Sequence, residues 1–320
     1  MSLLLAPLAI SMARRLSIYD VPDPRKIHTV NTPRGAGLGF SAVWLALAWG
    51  FFFSGLLDET YATFTVGLLV GAMLVLFLGL LDDFKEMSSV VKFAAQFAAA
   101  AIFLMLARPA FANNLIFSGI AIFWIVAVTN AFNLIDGLDG LAAGLATISA
   151  LSFALLGYAL NQPTLMALSL LLAGACLGFI PYNWHPAKAF MGDVGSLFLG
   201  FVLAALAVGL FEKTAPIPAL ASAFFLAVPL FDTFLSVLRR AVQQKPLFQP
   251  DRSHFYNLLM NRGFTHEGSV IFSLSLAAVF SALGFGFLFA ESRLMVVAIG
   301  ATFITVLVAV TIKYRLLAMD

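Results

Sequence analysis

The stretch YATFTVGLLVGAMLVLFLGLLDDFKE, residues 61–86, decides the fold. From Tyr61 to Leu81 it carries no charge, and about 20 mostly apolar residues are what a helix needs to cross a hydrocarbon core of about 30 Å. Asp82 and Asp83 end the run, with Lys85 close behind. Adjacent carboxylates at the end of a span are either a solvated terminus or a place for a divalent cation or a base, because paired negative charge is costly until a cation relieves it.

Ten more apolar runs lie on either side, at residues 2–13, 36–53, 90–106, 115–132, 141–160, 164–182, 196–211, 217–238, 269–290 and 294–312. With 62% hydrophobic residues, 11% charged ones and a mean hydropathy of +0.99, lipid is the solvent for most of the chain. Backbone groups facing hydrocarbon must be paired within their own segment, so the runs are expected to be helices. The expectation is an all-α polytopic membrane protein of about 11 transmembrane helices, forming one domain over residues 1–320. Run 2–13 is short for a span and is retained as an anchor. Cys176 is the single cysteine, which excludes an intrachain disulfide.

If the runs cross alternately, 15 of the 18 basic residues fall on one side and only Arg108, Lys213 and Arg293 on the other. The positive-inside rule assigns the first side to the cytoplasm, with the amino terminus outside and the carboxyl terminus inside. The net charge of +2 is too small, and the cations too scattered among loops, for a nucleic-acid partner. On the same side lie 12 of the 16 acidic residues, the exceptions being Asp58, Glu59, Glu212 and Glu291. Acidic residues do little to set orientation, so their clustering calls for another cause.

Three further motifs share that side. In NAFNLIDGLDGLAAG, Asn133, Asp136 and Asp139 recur every three residues, a spacing that fits one side of a helix or helical turn, and Gly137 and Gly140 allow close approach to the backbone. In NWHPAKAFMGDVGS, Asp193 stands between Gly192 and Gly195, preceded by Asn183, His185 and Phe190; the phenylalanine is either an interfacial anchor or a platform for a base. The loop RRAVQQKPLFQPDRSHFYNLLMNRG carries Arg252 and His254 among other cations and fits either a topology determinant or a phosphate clamp. The glycines of TPRGAGLGF lead into a span rather than joining a strand to a helix, so a dinucleotide fold is rejected. Oxygen ligands, cations and glycines beside a membrane fit phosphoryl transfer with a hard cation such as magnesium. One cysteine and four scattered histidines make zinc a poor alternative.

DPRKIHTVNTPRGAGLGF, LGLLDDFKE, NAFNLIDGLDGLAAG, NWHPAKAFMGDVGSLFLG and PDRSHFYNLL, in this order, resemble the polyprenyl-phosphate N-acetylhexosamine-1-phosphate transferases, glycosyltransferase family 4. The resemblance covers nearly the whole chain. It implies that a polyprenyl phosphate such as undecaprenyl phosphate attacks the sugar-linked phosphate of a UDP-N-acetylhexosamine, releasing UMP and initiating a lipid-linked cell-envelope glycan. The cofactor would be Mg2+, with Mn2+ as a substitute, and the location a bacterial plasma membrane with a cytoplasmic active site; a homodimer is left open. Carried over by motif, Asp82 and Asp83 are the acidic pair, Asp82 handling the lipid phosphate, and Asp136 and His254 join them as catalytic candidates. Asp193 and Asn133 would hold the metal. Gly137, Asp139, Asn183 and Phe190 would bind the uridine nucleotide, with Arg252 and Lys85 as further substrate contacts. In DRSHFYNLL, Phe255, Tyr256 and Asn257 stand where the family often has more histidines, which argues against the peptidoglycan translocase and favours UDP-GlcNAc or a related sugar. The rival from another class is a cation-coupled transporter, whose carboxylates would lie near mid-membrane.

Overall fold

The structure is a computed structural model that describes residues 1–20, 31–108, 112–213, 216–242, 244, 254–292, 294–295 and 297–301. Within them the chain folds as helices α1 (Ser2–Arg15), α2 (Gly37–Phe53), α3 (Ala62–Phe84), α4 (Ser89–Ala107), α5 (Leu115–Ile135) and α6 (Leu141–Ala159). These are followed by α7 (Pro163–Asn183), α8 (Gly192–Lys213), α9 (Pro216–Phe225), α10 (Ala227–Val242), α11 (Phe255–Met260) and α12 (His266–Phe289). The only strands among the described residues are β1 (Tyr19–Asp20) and β2 (Thr32–Pro33), paired antiparallel with Tyr19 opposite Pro33. Among the described residues seven helices are long and apolar enough to cross a membrane: α3 with its preceding turn, α4, α5, α6, α7, the Gly192–Leu210 part of α8, and α12. α2 is apolar but shorter, α1 at 14 residues extends about 21 Å, and most of run 294–312 lies outside the described residues.

α8 is the axle. Its spanning part is wholly buried, whereas α4 and α5 leave most of theirs uncovered. α2, α3 and α5 reach it through glycines: a Cβ on Gly37 would lie 2.5 Å from the Gly195 Cα, one on Gly79 2.5 Å from the Asp193 carbonyl oxygen, and one on Gly200 2.6 Å from the Thr129 Cα. Helices in lipid gain little from excluding water, so close backbone approach and dispersion supply the attraction. Buried Phe40, Trp44 and Phe103 pack on the rings of α8, Trp44 edge-on to Phe198 at 5.5 Å and Phe103 edge-on to Phe201 at 6.0 Å.

The expected span 217–238 is broken at Leu226 into α9 and α10. Pro229 explains the break, since its ring excludes a helical hydrogen bond to the Phe225 carbonyl. That carbonyl instead accepts from Ser149 Oγ of α6 at 2.7 Å.

Candidate active site

α3 delivers Asp82 and Asp83 to one end of the bundle, where α8 begins. The first backbone N–H groups of a helix have no partner within it, and Asp83 supplies one from outside. Its two carboxylate oxygens accept from the N–H groups of Asp193 at 3.0 Å and Val194 at 3.1 Å. Gly192 makes room for it by adopting φ +71°, its hydrogen facing the Asp83 carboxylate where a Cβ would collide. Asp193 is thereby fixed in the first turn of α8, beside the acidic pair.

Two cations lace the three acids together. Lys92 Nζ, in the first turn of α4, lies 2.6 Å from Asp82 Oδ2 and 2.8 Å from Asp193 Oδ2. Arg34 lies 2.8 Å from Asp83 Oδ1 through Nε and 2.8 Å from Asp193 Oδ1 through Nη2. The β1–β2 ribbon positions Arg34, whose N–H donates to the Ile18 carbonyl, while Pro33, Ala36 and Gly37 pair with the backbone of Phe190 and Met191. Burial alone would lower the Arg34 pKa, but the charges of Asp83, Asp193 and Asp20 outweigh it and hold the guanidinium more firmly protonated than usual. Neither Arg34 nor Lys92 was distinguishable in sequence from a topology marker, because their partners are 49 to 159 residues and 10 to 101 residues away.

Asn133, on the last turn of α5, donates to Ser196 Oγ at 3.0 Å, one turn along α8 from Asp193. Its amide oxygen and the carboxylates of Asp136 and Asp193 are oxygen donors of the kind a hard cation takes. Three acids, Asp82, Asp83 and Asp193, against two cations leave one negative charge in excess, and an ionised Asp136 would make two. The pKa of Asp136 is pushed well above the ordinary carboxylate range by burial and by the charges of Asp193, Asp83 and Asp139. A divalent ion would relieve that repulsion, and in charge and donor type these side chains suit a hard cation.

Asp139 goes elsewhere. α5 ends at Ile135 and residues 136–140 are non-helical, so Asn133, Asp136 and Asp139 do not share one helical face. Asp139 Oδ2 lies 2.8 Å from His185 Nδ1 and accepts from the Ala187 N–H at 3.1 Å. Asn183 is spent on the scaffold: Oδ1 accepts from the Gly140 N–H and Nδ2 donates to the Ala189 carbonyl. Phe190 is half-buried, its backbone paired with Pro33 and Ala36, and Lys85 is exposed beyond α3, outside the ion-pair network.

His254 forms a third group. Its Nδ1 lies 2.8 Å from Asp232 Oδ2, and the other oxygen of Asp232 accepts from the Phe255 N–H at 2.6 Å. Buried Asp232 of α10 thus fixes the histidine; in sequence it is only an acid inside an apolar run. Tyr256 stacks on His254 with ring centroids 5.6 Å apart, and its hydroxyl sits over Gly137 where a Cβ would otherwise go. Burial, with the nearby charges of Asp232 and Asp136, raises the Tyr256 pKa. Arg252 lies outside the described residues.

Among known proteins, a family described as glycosyl transferase family 4 matches residues 65–211. The chain is similar to a probable undecaprenyl-phosphate N-acetylglucosaminyl 1-phosphate transferase of Bacillus subtilis, 35% identical over 87% of this chain and 80% of the relative. It is also similar to a decaprenyl-phosphate N-acetylglucosaminephosphotransferase of Mycobacterium tuberculosis, 32% identical over 81% of this chain and 73% of the relative. An undecaprenyl-phosphate alpha-N-acetylglucosaminyl 1-phosphate transferase of Escherichia coli is 29% identical over 86% and 78%.

Proposed function

This chain belongs to glycosyl transferase family 4, and we propose that it transfers N-acetylglucosamine 1-phosphate from UDP-N-acetylglucosamine to a polyprenyl phosphate, releasing UMP. An oxygen of the lipid phosphate bonds to the sugar-linked phosphorus; the bond from that phosphorus to the bridging oxygen breaks, and UMP leaves with the electron pair. The observation that carries the reading is the lattice of Lys92 and Arg34 between Asp82, Asp83 and Asp193. Both cations are multidentate donors held by carboxylates that entering phosphate oxygens replace one for one. In this reading Asp82 takes the proton of the lipid phosphate, freed for that task when Lys92 turns to the incoming anion. Asp83 holds α8 in place and so aligns Asp193. Asp193, Asn133 and Asp136 would hold Mg2+, which supplies charge neutralisation on the diphosphate oxygens. His254, steadied by Asp232, faces the diphosphate or the sugar, and Asp139 with Phe190 receives the uracil.

The multi-pass membrane location follows from the seven apolar helices and the membrane-lipid names of the relatives. The face bearing the site is assigned to the cytoplasm on the distribution of basic residues. A carrier would keep its carboxylates near mid-membrane, whereas Asp82 and Asp83 close α3 and Asp193 opens α8. The test is UMP release by purified protein given UDP-N-acetylglucosamine, polyprenyl phosphate and Mg2+, with Asp82→Asn and Asp193→Asn beside the wild type. Loss in both variants and after chelation is expected, and full activity in both refutes the assignment.

A further inference from the structure

The two oxygens of Asp139 are not equivalent. Oδ2 takes both His185 Nδ1 and the Ala187 N–H, while among the described residues Oδ1 has no hydrogen-bond donor. A carboxylate only accepts, so Nδ1 of His185 carries the hydrogen. The His185 ring lies flat on that of His266, with centroids 3.9 Å apart and planes within 19°. His266 Nε2 in turn lies 3.4 Å from the backbone carbonyl of Asp139. Two imidazoles, from segments 46 and 127 residues away in sequence, therefore hold the side chain and the backbone of one acid.

Two histidines and an acid with ligand atoms within 4.8 Å of one another also suggest a metal site. The stack argues against it. An imidazole offers its lone pair in the plane of the ring, and two nearly parallel planes 3.9 Å apart have no common point close by at which one ion meets both. What the arrangement does is rigidify Asp139 with one oxygen engaged and the other free.

We propose that His185 and His266 are positioning residues that aim the free Oδ1 of Asp139 at an N–H of the nucleobase and so set a preference for uracil over cytosine. This rests on the uridine-nucleotide reading above. Uracil presents a donor at N3 and cytosine an acceptor. An acceptor-only oxygen held in place pairs with the first and leaves two lone pairs opposed with the second, and a site built to hydrogen-bond one ligand group rejects a ligand lacking it strongly. A mobile carboxylate would escape by rotating away, so the discrimination depends on the two imidazoles.

The test uses the full chain in detergent and measures binding of UMP and of CMP, with kcat and KM for UDP-N-acetylglucosamine alongside. His185→Ala should weaken UMP about tenfold and leave CMP nearly unchanged, so that the preference falls, and the kinetic loss should fall on KM rather than kcat. His185→Asn should restore the preference, because its amide nitrogen occupies the place of Nδ1; His266→Ala should behave like His185→Ala. An unchanged UMP-to-CMP ratio in His185→Ala, or equal loss of both nucleotides with no rescue by His185→Asn, overturns the proposal while an active wild type leaves the function standing. A wild type that neither binds UMP nor releases it overturns the function itself, and the proposal with it.

Discussion

Gly79→Ala tests the site without touching any of its polar groups. Gly79 lies one turn before Asp82 and Asp83, on the face of α3 that meets the first turn of α8. The added methyl would stand 2.5 Å from the Asp193 carbonyl oxygen, 2.5 Å from the Val194 Cα and 2.6 Å from the Asp193 carbonyl carbon. Ordinary contact begins near 3.4 Å, so the two helices must part by 3.4 − 2.5 = 0.9 Å. All three atoms are backbone, and no side-chain rotation relieves the clash. The bonds from Asp83 to the Asp193 and Val194 N–H groups cross the same gap, as do the Lys92 links between Asp82 and Asp193, and they must stretch with it. Overpacking of this kind costs about 1–3 kcal/mol of stability, and a displacement of about 1 Å among reacting groups costs about a hundredfold in rate. The assay is UMP release, with thermal unfolding of the same preparations. Gly119→Ala and Gly174→Ala are the controls, because a methyl at either meets nothing within 4 Å. A folded Gly79→Ala protein with kcat/KM down about a hundredfold is expected. Activity equal to that of the controls, with an unshifted unfolding temperature, would refute the reasoning.

Lys92→Met should abolish more activity than Lys85→Met, since only Lys92 joins Asp82 to Asp193; equal losses in parallel UMP-release assays would dismiss the lattice as the working part. Asp232→Asn removes a charged partner worth about 1.5–3 kcal/mol from His254, so kcat should fall roughly tenfold to a hundredfold with little change in KM for the UDP-sugar, and a wild-type kcat would show that His254 needs no such support. Asp136 keeps a proton in the folded protein that the unfolded chain sheds, so its contribution to stability declines as pH rises from the ordinary carboxylate range through its raised folded value. In chelator, Asp136→Asn should match wild type in thermal unfolding near about pH 4 and exceed it near about pH 8; a constant difference across that range would contradict the burial and repulsion inferred here. Phe190→Ala should raise KM for the UDP-sugar, and an unchanged KM would remove the stacking role.

What could be read in the sequence was what depends on neighbours along the chain. Hydropathy marked the long helices because lipid demands it of every residue in a span, and the end of α3 was visible as Asp82 and Asp83. The break at Leu226 passed unnoticed because α9 and α10 are both apolar, although Pro229 was there to mark it. The three-residue spacing of Asn133, Asp136 and Asp139 suggested a common face, yet α5 stops at Ile135 and Asp139 lies in the turn before α6, paired with His185. Arg34, Lys92 and Asp232 take their meaning from partners on other helices, and a single sequence does not record those pairings. His185 and His266 became a pair only when the loop after α7 met the start of α12.

The axle helix has a further consequence, for how the protein assembles. In the finished fold the spanning part of α8 is enclosed by protein along its whole length, yet its mean hydropathy of 2.1 equals that of α5, much of which stays uncovered. Enclosure alone would not demand this, since an interior shielded from lipid tolerates paired polar groups. Insertion does demand it: each span enters the bilayer as an individual helix before it finds its neighbours. The apolar character of α8 is thus a record of passage, a requirement met while the helix was still alone among lipids and of no further use once the others closed around it. Its one charged group within that segment, Asp193, lies in the first turn, at the edge where a solitary helix can keep a carboxylate in water until Arg34 and Lys92 arrive.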